Sequence, residues 1–201
     1  MTTIASARVV PLGADDLRSQ DPQLEDLVNF LGYRPNALLT MARKPGLLPA
    51  ILGLVQQTLR GDGLIEPPLR FLVAAEACRG ARCWYSATHV VHAAHHAGVT
   101  WPQLDALPEY RSSDCFSPRE RAALAIASAG ATLPTGDAGA AFDEARKHFS
   151  EDELIELVSC VAVFGWFNRW NSLMRSALEA IPAEAAAHVG WLQFLKPEDR
   201  I

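Results

Sequence analysis

The chain has 201 residues, 49% apolar and 20% charged, a composition that suits one globular domain or two small halves sharing a core. Eighteen basic against 23 acidic residues give a net charge of −5, which argues against a nucleic-acid binder with its basic stripe. No run approaches the ~18 apolar residues of a membrane span, Met1 to Val10 lack the apolar block of a secretory signal, and four cysteines are too few for a disulfide scaffold. A cytoplasmic location is the expectation.

Alanine and leucine dominate, glycine and proline punctuate, and β-branched alternation is almost absent, so the sequence reads as all-α. Residues 1–20 read as an extended lead-in, and 21–201 as one helical domain. A first helix starts at Asp21-Pro22, with aspartate as N-cap and proline in the first turn, and ends near Gly32. Arg34-Pro35-Asn36 opens a short helix to Arg43. Pro45 to Arg60 follows with Leu47, Leu48, Ile51, Leu54, Val55 and Leu59 at helical spacing. After the turn at Gly61-Asp62-Gly63, Leu69 to Cys78 is helical. Arg79-Gly80-Ala81-Arg82 then interrupts, and Cys83 to Ala97 resumes until Gly98. Residues 99–116 read as a connector. Ser117-Pro118-Arg119-Glu120 is a capping box opening a helix to about Ala131. Thr132 to Gly139 is loop and Ala140 to His148 a short helix. A second box, Ser150-Glu151-Asp152-Glu153, opens a long helix to about Ala180. The tail, 181–201, is expected to dock through Trp191, Leu192 and Phe194.

An internal echo runs through this order. At an offset of 85 residues, Leu69, Leu72, Val73, Ala77 and Gly80 meet Leu154, Leu157, Val158, Ala162 and Gly165. In the same register Cys83-Trp84-Tyr85-Ser86 meets Asn168-Arg169-Trp170-Asn171. The echo suggests two helical units, about 21–98 and 117–180, packed around a pseudo-twofold.

Cys83 is the chief chemical candidate. It opens a helix, where free backbone N–H groups and the dipole favour a thiolate, and Arg79 and Arg82 stand close by. At about 100° per residue, Cys83, Ala87, Val90, Ala94 and Ala97 form one small-residue stripe, with His89, His92 and His96 on the other side. That placement weakens His89 as a direct base for the thiol and favours a Ser86–His89 hydrogen bond. The four histidines from His89 to His96 (with His95) have spacings that metal ligands use, but no flanking motif matches a metal signature, and no metal or other cofactor is expected. Cys78 reaches Cys83 for a disulfide only if the Arg79–Arg82 break folds back. Glu76, in an apolar stretch, needs a partner, which Arg79 offers three residues on. Phe164 to Asn171 mixes aromatics with amides, so Asn168 or Arg169 could add polarity to an aromatic pocket facing Cys83.

Several segments together resemble the carboxymuconolactone decarboxylase and alkylhydroperoxidase D (AhpD)-like family, in its peroxidase-related branch. Phe30-Leu31-Gly32-Tyr33-Arg34-Pro35-Asn36 is similar to that branch's entry motif, and Arg79 to Ser86, running on to Gly98, to its Cys-x-x-Cys…His helix. Phe116 to Leu124, His148 to Leu154 and Phe167-Asn168-Arg169 are similar to the segments that follow. The resemblance implies an AhpD-like helical bundle with internal duplication, a homo-oligomer (dimer, trimer or hexamer), and peroxidase activity with an external thiol reductant. It implicates Cys83, Ser86 and His89, with Glu76, Asn168 and Arg169 as further candidates, while Cys78 is a candidate from its place before the Arg79–Arg82 break alone. In this chain Cys83 holds the first cysteine position and Ser86 the second. The histidine position falls on Val90, one place after His89, and the acidic position falls near Phe71. A one-cysteine peroxidase is therefore expected to turn over slowly, waiting for added thiol. The alternatives are a non-redox small-molecule lyase and a non-catalytic oligomeric binding protein. Nucleic acid and membrane are not expected partners.

Overall fold

A computed structural model describes residues 7–13 and 22–193, so Asp21, Phe194 and most of the lead-in lie outside the described residues. Every regular element among those described is helical. In order they are α1 (Pro22–Leu31), α2 (Asn36–Met41), α3 (Leu47–Val55), α4 (Pro67–Gly80), α5 (Trp84–His96), α6 (Trp101–Asp105), α7 (Pro118–Gly130), α8 (Ala138–Ala145), α9 (Glu151–Met174), α10 (Ala180–Ala186) and α11 (Gly190–Gln193). A π-helical turn, Gln56–Arg60, continues α3.

α4 is the centre of the fold. Every residue from Leu69 to Cys78 is buried, because α5, α7 and α9 pack around it. A helix enclosed on all sides needs no amphipathic stripe, and its two buried charges must find partners. Arg70 donates to the Gly61 carbonyl at 2.8 Å, and Arg79 grips Glu76 with two hydrogen bonds of 2.6 and 2.7 Å. The expected Glu76–Arg79 pair is thus structural. Burial pushes the Glu76 carboxyl above its ordinary range, against the pull of that guanidinium.

The expected break between α4 and α5 is present. Arg82 adopts a left-handed conformation (φ 55°), and Cys83 turns to extended geometry as the N-cap of α5. Gly80 is required there for space: a Cβ would lie 2.6 Å from that of Ala131. The capping boxes at Ser117 and Ser150 form as read, each hydroxyl accepting from the backbone N–H three residues on. Elsewhere the chain order needs correcting. The connector 99–116 contains α6, opened by a third capping box in which Thr100 accepts from Gln103. α9 stops at Met174, not Ala180, because Arg175 turns left-handed at φ 51°. The tail docks as expected at the residues described: Leu192 is 2% exposed, and Trp191 donates to the Leu104 carbonyl at 2.9 Å. Among the described residues no helix is long and apolar enough to cross a membrane.

Candidate active site

Where the first turn of α5 crosses α9, the buried Cys83 Sγ lies 3.3 Å from Ser86 Oγ. Asn171 Nδ2 donates to Ser86 Oγ at 3.0 Å, which leaves the serine's own hydrogen free to point at the sulfur. Ser172 Oγ stands 3.8 Å from Sγ and the Asn168 carbonyl 3.7 Å. These contacts realise the internal echo, since Cys83 meets Asn168 and Ser86 meets Asn171, each 85 residues away. The echo fails beyond that crossing, because α9 runs straight where α4 and α5 are separated by a turn.

A second group faces the first. The Tyr33 hydroxyl is 2.7 Å from His89 Nδ1, and His89 Nε2 is 2.7 Å from Glu179 Oε2, a contact too bent for a linear hydrogen bond. Tyr85 donates to Glu179 Oε1 at 3.0 Å, and the Asn36 backbone N–H donates to the same oxygen. Asn36 Nδ2 also donates to the Ala177 carbonyl at 2.9 Å, fastening the segment between α9 and α10 across the start of α2. Burial, and then the charge of Glu179, push both tyrosine hydroxyls well above their ordinary range, so both stay protonated.

Between Ser86 and Asn171 on one side and Tyr33, Tyr85 and His89 on the other lies a cavity of about 110 Å³, behind whose Ser86 wall Cys83 sits without lining it. Phe30, Phe71, Phe164 and Phe167 form its walls, and Tyr33, Ser86, His89 and Asn171 bring the polar groups. The volume is somewhat below the roughly 150 Å³ of a dry cavity that holds a benzene ring, so the space is close in size to one small ring. Its guanidinium, Arg60, is paired with Asp26 at 3.0 Å.

Several expectations change on this geometry. The Ser86–His89 hydrogen bond is not formed: Ser86 turns to Cys83 and Asn171, and His89 to Tyr33 and Glu179. Glu76 serves Arg79 in the core and does not line the cavity. Cys78 and Cys83 are both free thiols, joined only by the Cys83 N–H donating to the Cys78 carbonyl, and burial pushes the Cys78 thiol far up. Asn168 lends Cys83 its carbonyl, whereas Arg169 caps the Gly165 carbonyl and faces away from the cavity. The other histidines bond backbone carbonyls: His92 to Leu31 at 2.8 Å, His95 to Val99 at 3.0 Å and His96 to His92 at 3.1 Å. Among the described residues no three ligating side chains are grouped to hold a metal. Phe71 and Val90, at the acidic and histidine positions of the resemblance, are apolar cavity walls. An acid–histidine pair is nevertheless present, built from Glu179 and His89. Glu179 was invisible in the sequence, since its partners lie 90 or more residues away. Asn171 was signalled, because the offset of 85 sets it against Ser86.

Two crystal structures of the debrominase Bmp8 are similar to this chain over nearly their whole length. A cysteine-to-alanine variant in complex with 2,3,4-tribromopyrrole is 31% identical, with 92% of this chain and 99% of that one covered and a TM-score of 0.86. The apo form is 32% identical, with 91% and 98% covered and a TM-score of 0.83. The carboxymuconolactone decarboxylase family model matches residues 45–129. The chain belongs to that family. An uncharacterized peroxidase-related protein from Ralstonia eutropha JMP134, described as an alkylhydroperoxidase AhpD core, shares the AhpD-like fold at 19% identity. The match covers 88% of this chain and 94% of that one, with a TM-score of 0.71. No curated protein matches significantly. Within this family member the matched span holds Cys83, Tyr85, Ser86 and His89, while Tyr33, Asn168, Asn171 and Glu179 lie outside it.

Proposed function

We propose that this protein is a thiol-dependent reductive dehalogenase acting on a small halogenated aromatic ring. The observation that carries the reading is the ring-sized apolar cavity, bounded on one side by the Ser86 hydroxyl that touches Cys83 Sγ. The likeness to a debrominase, one variant of which binds a brominated pyrrole, supports the same substrate class. A carboxylated lactone would want unpaired cations, and the cavity's guanidinium is already taken by Asp26. Hydrogen peroxide would gain little from four phenylalanine walls.

In the proposed reaction Ser86 turns aside, and the Cys83 thiolate attacks the halogen. An S–X bond forms as the C–X bond breaks, and the electron pair of that bond stays on the ring carbon, which takes up a proton. Carbon is reduced and sulfur is oxidised by two electrons. An external thiol then attacks Sγ, releasing HX and leaving a mixed disulfide, and a second thiol restores Cys83. The sum is ArX + 2 RSH → ArH + RSSR + HX. The external reductant is needed because Ser86 offers no resolving thiol and Cys78 is buried. The Ser172 hydroxyl stabilises charge on sulfur.

The test is bromide release from a panel of bromopyrroles and bromophenols with dithiothreitol, beside a hydrogen peroxide assay. We expect bromide and oxidised dithiothreitol in equal amounts, and at least a ~100-fold loss in Cys83→Ala, as for removal of a nucleophile. Absence of bromide release, retention of release in Cys83→Ala, or faster turnover of peroxide than of any bromoarene would overturn the reading.

A further inference from the structure

The dehalogenation proposed above leaves a carbanion that must be protonated, and the cavity contains few hydrogens free to do it. The Ser86 hydroxyl is in contact with Cys83 Sγ, where either group can donate, and Asn171 donates to Ser86. The Tyr85 hydrogen is given to Glu179. Arg60 is paired and does not give up a proton in proteins. His89 shares its Nδ1 hydrogen bond with Tyr33, and its Nε2 is turned to the Glu179 carboxylate without a linear hydrogen bond. That inventory leaves the Tyr33 hydroxyl.

We infer that Tyr33 is the acid that protonates the ring carbon, reloaded by His89, and that Glu179 is the positioning residue that holds His89 for this. The inference rests on the dehalogenase reading. With His89 as imidazolium, Nδ1–H donates to the Tyr33 oxygen across their 2.7 Å contact and Nε2–H faces the Glu179 carboxylate. The phenolic hydrogen is then released from His89 and turns into the cavity. As the C–X pair settles on carbon, that hydrogen moves to the ring, and the Nδ1 proton moves to the tyrosine oxygen. Tyr33 ends neutral, as its burial demands, and His89 ends as neutral imidazole to be reprotonated from solvent. The net proton comes from solvent through a histidine, and no tyrosinate is left in an apolar cavity.

The segment carrying Glu179 is held for this purpose by three hydrogen bonds from two residues. Its carboxylate takes the hydroxyl of Tyr85 and the backbone N–H of Asn36, and the Ala177 carbonyl takes the side chain of Asn36. The titratable and charged groups around His89 are Tyr33 from the turn after α1, Tyr85 and His92 from α5, Glu179 ahead of α10, and Arg60 on the cavity wall. Glu179 is the one that sets a carboxylate beside Nε2.

The experiment measures bromide release for the wild type, Tyr33→Phe, Glu179→Gln and Glu179→Asp across a pH series. Tyr33→Phe removes one oxygen and should lower kcat about 100-fold or more with KM within about threefold, as for a lost general acid. Glu179→Gln keeps the shape but removes the carboxylate that positions His89, so kcat should fall by up to about 100-fold with KM within about threefold, and Glu179→Asp should recover part of kcat. Iodoacetamide should alkylate Cys83 in Tyr33→Phe at the wild-type rate, showing the sulfur side intact. A wild type that releases no bromide fails the dehalogenase reading itself. A wild type that does, beside Tyr33→Phe or Glu179→Gln of unchanged kcat, overturns the relay alone.

Discussion

Ser86 decides what Cys83 can do. Its hydroxyl stands 3.3 Å from Sγ at the spacing of a Cys-x-x-Cys pair, so a sulfur placed there would need only a small approach to reach the ~2.05 Å of a disulfide. Ser86→Cys is expected to lose two hydrogens on mild oxidation, visible in the intact mass, and to protect Cys83 from iodoacetamide until reduced. Continued alkylation of Cys83 after oxidation would contradict the contact. Much of this was legible at the level of single residues: a cysteine at a helix start, a serine three on, a histidine nearby. The partner of His89 was not. A spacing of three residues suggested Ser86, but the two side chains leave α5 in different directions, and the better acceptor comes from a segment far along the chain. Local spacing lists which residues can meet along one helix, and it is silent about what another element brings.

The helices themselves were easiest to read where their ends carry a capping signature. Ser117 and Ser150 mark the starts of α7 and α9, and the same signature at Thr100 and Gln103 was available for α6. The end of α9 had no such mark, since an arginine in left-handed geometry gives no hint in its identity. α5 also carries a titration that should appear in stability. His92 is 6% exposed and donates through Nε2 to the Leu31 carbonyl, and burial lowers its pKa from the usual 6.5. The unfolded chain therefore takes up that proton more readily than the folded one. The stability tied to neutral His92 is fully present above pH 6.5 and is lost as pH falls below it towards the folded value. Urea midpoints measured between neutrality and about pH 5 should fall, and His92→Gln, which keeps a donor for Leu31, should fall less. Equal slopes for the two proteins would count against this account.

At the scale of the whole molecule, one face along α9 carries exposed apolar residues. Ile155, Val158 and Leu173 of α9 are 67%, 38% and 66% exposed, and Leu133 after α7 is 72% exposed. Val158, Leu173 and Leu133 flank a groove floored by small residues such as Ala162 and Gly165. Exposed apolar surface of this kind marks association in soluble proteins. We expect a homo-oligomer, be it dimer, trimer or hexamer, joined through this face. Sedimentation at micromolar concentration should return a multiple of 21.9 kDa, and Leu173→Glu should shift it towards one copy. A wild type that sediments as a single copy would refute the expectation. The all-α bundle and its family were readable from the sequence because many short segments agreed. The face left uncovered was not, because exposure along α9 depends on which neighbours the fold happens to set beside it.

Glu179 reaches His89 from beyond the end of α9, outside the span on which the family is recognised. The sulfur and the proton of the proposed chemistry therefore come from different parts of the chain. The block of residues 45–129 carries the nucleophile and the imidazole, and whatever polypeptide precedes and follows it supplies the phenol and the carboxylate. Two chains could match the family equally well over that block and still differ in which reaction they complete. The flanks are where such proteins would diverge in chemistry while keeping one scaffold.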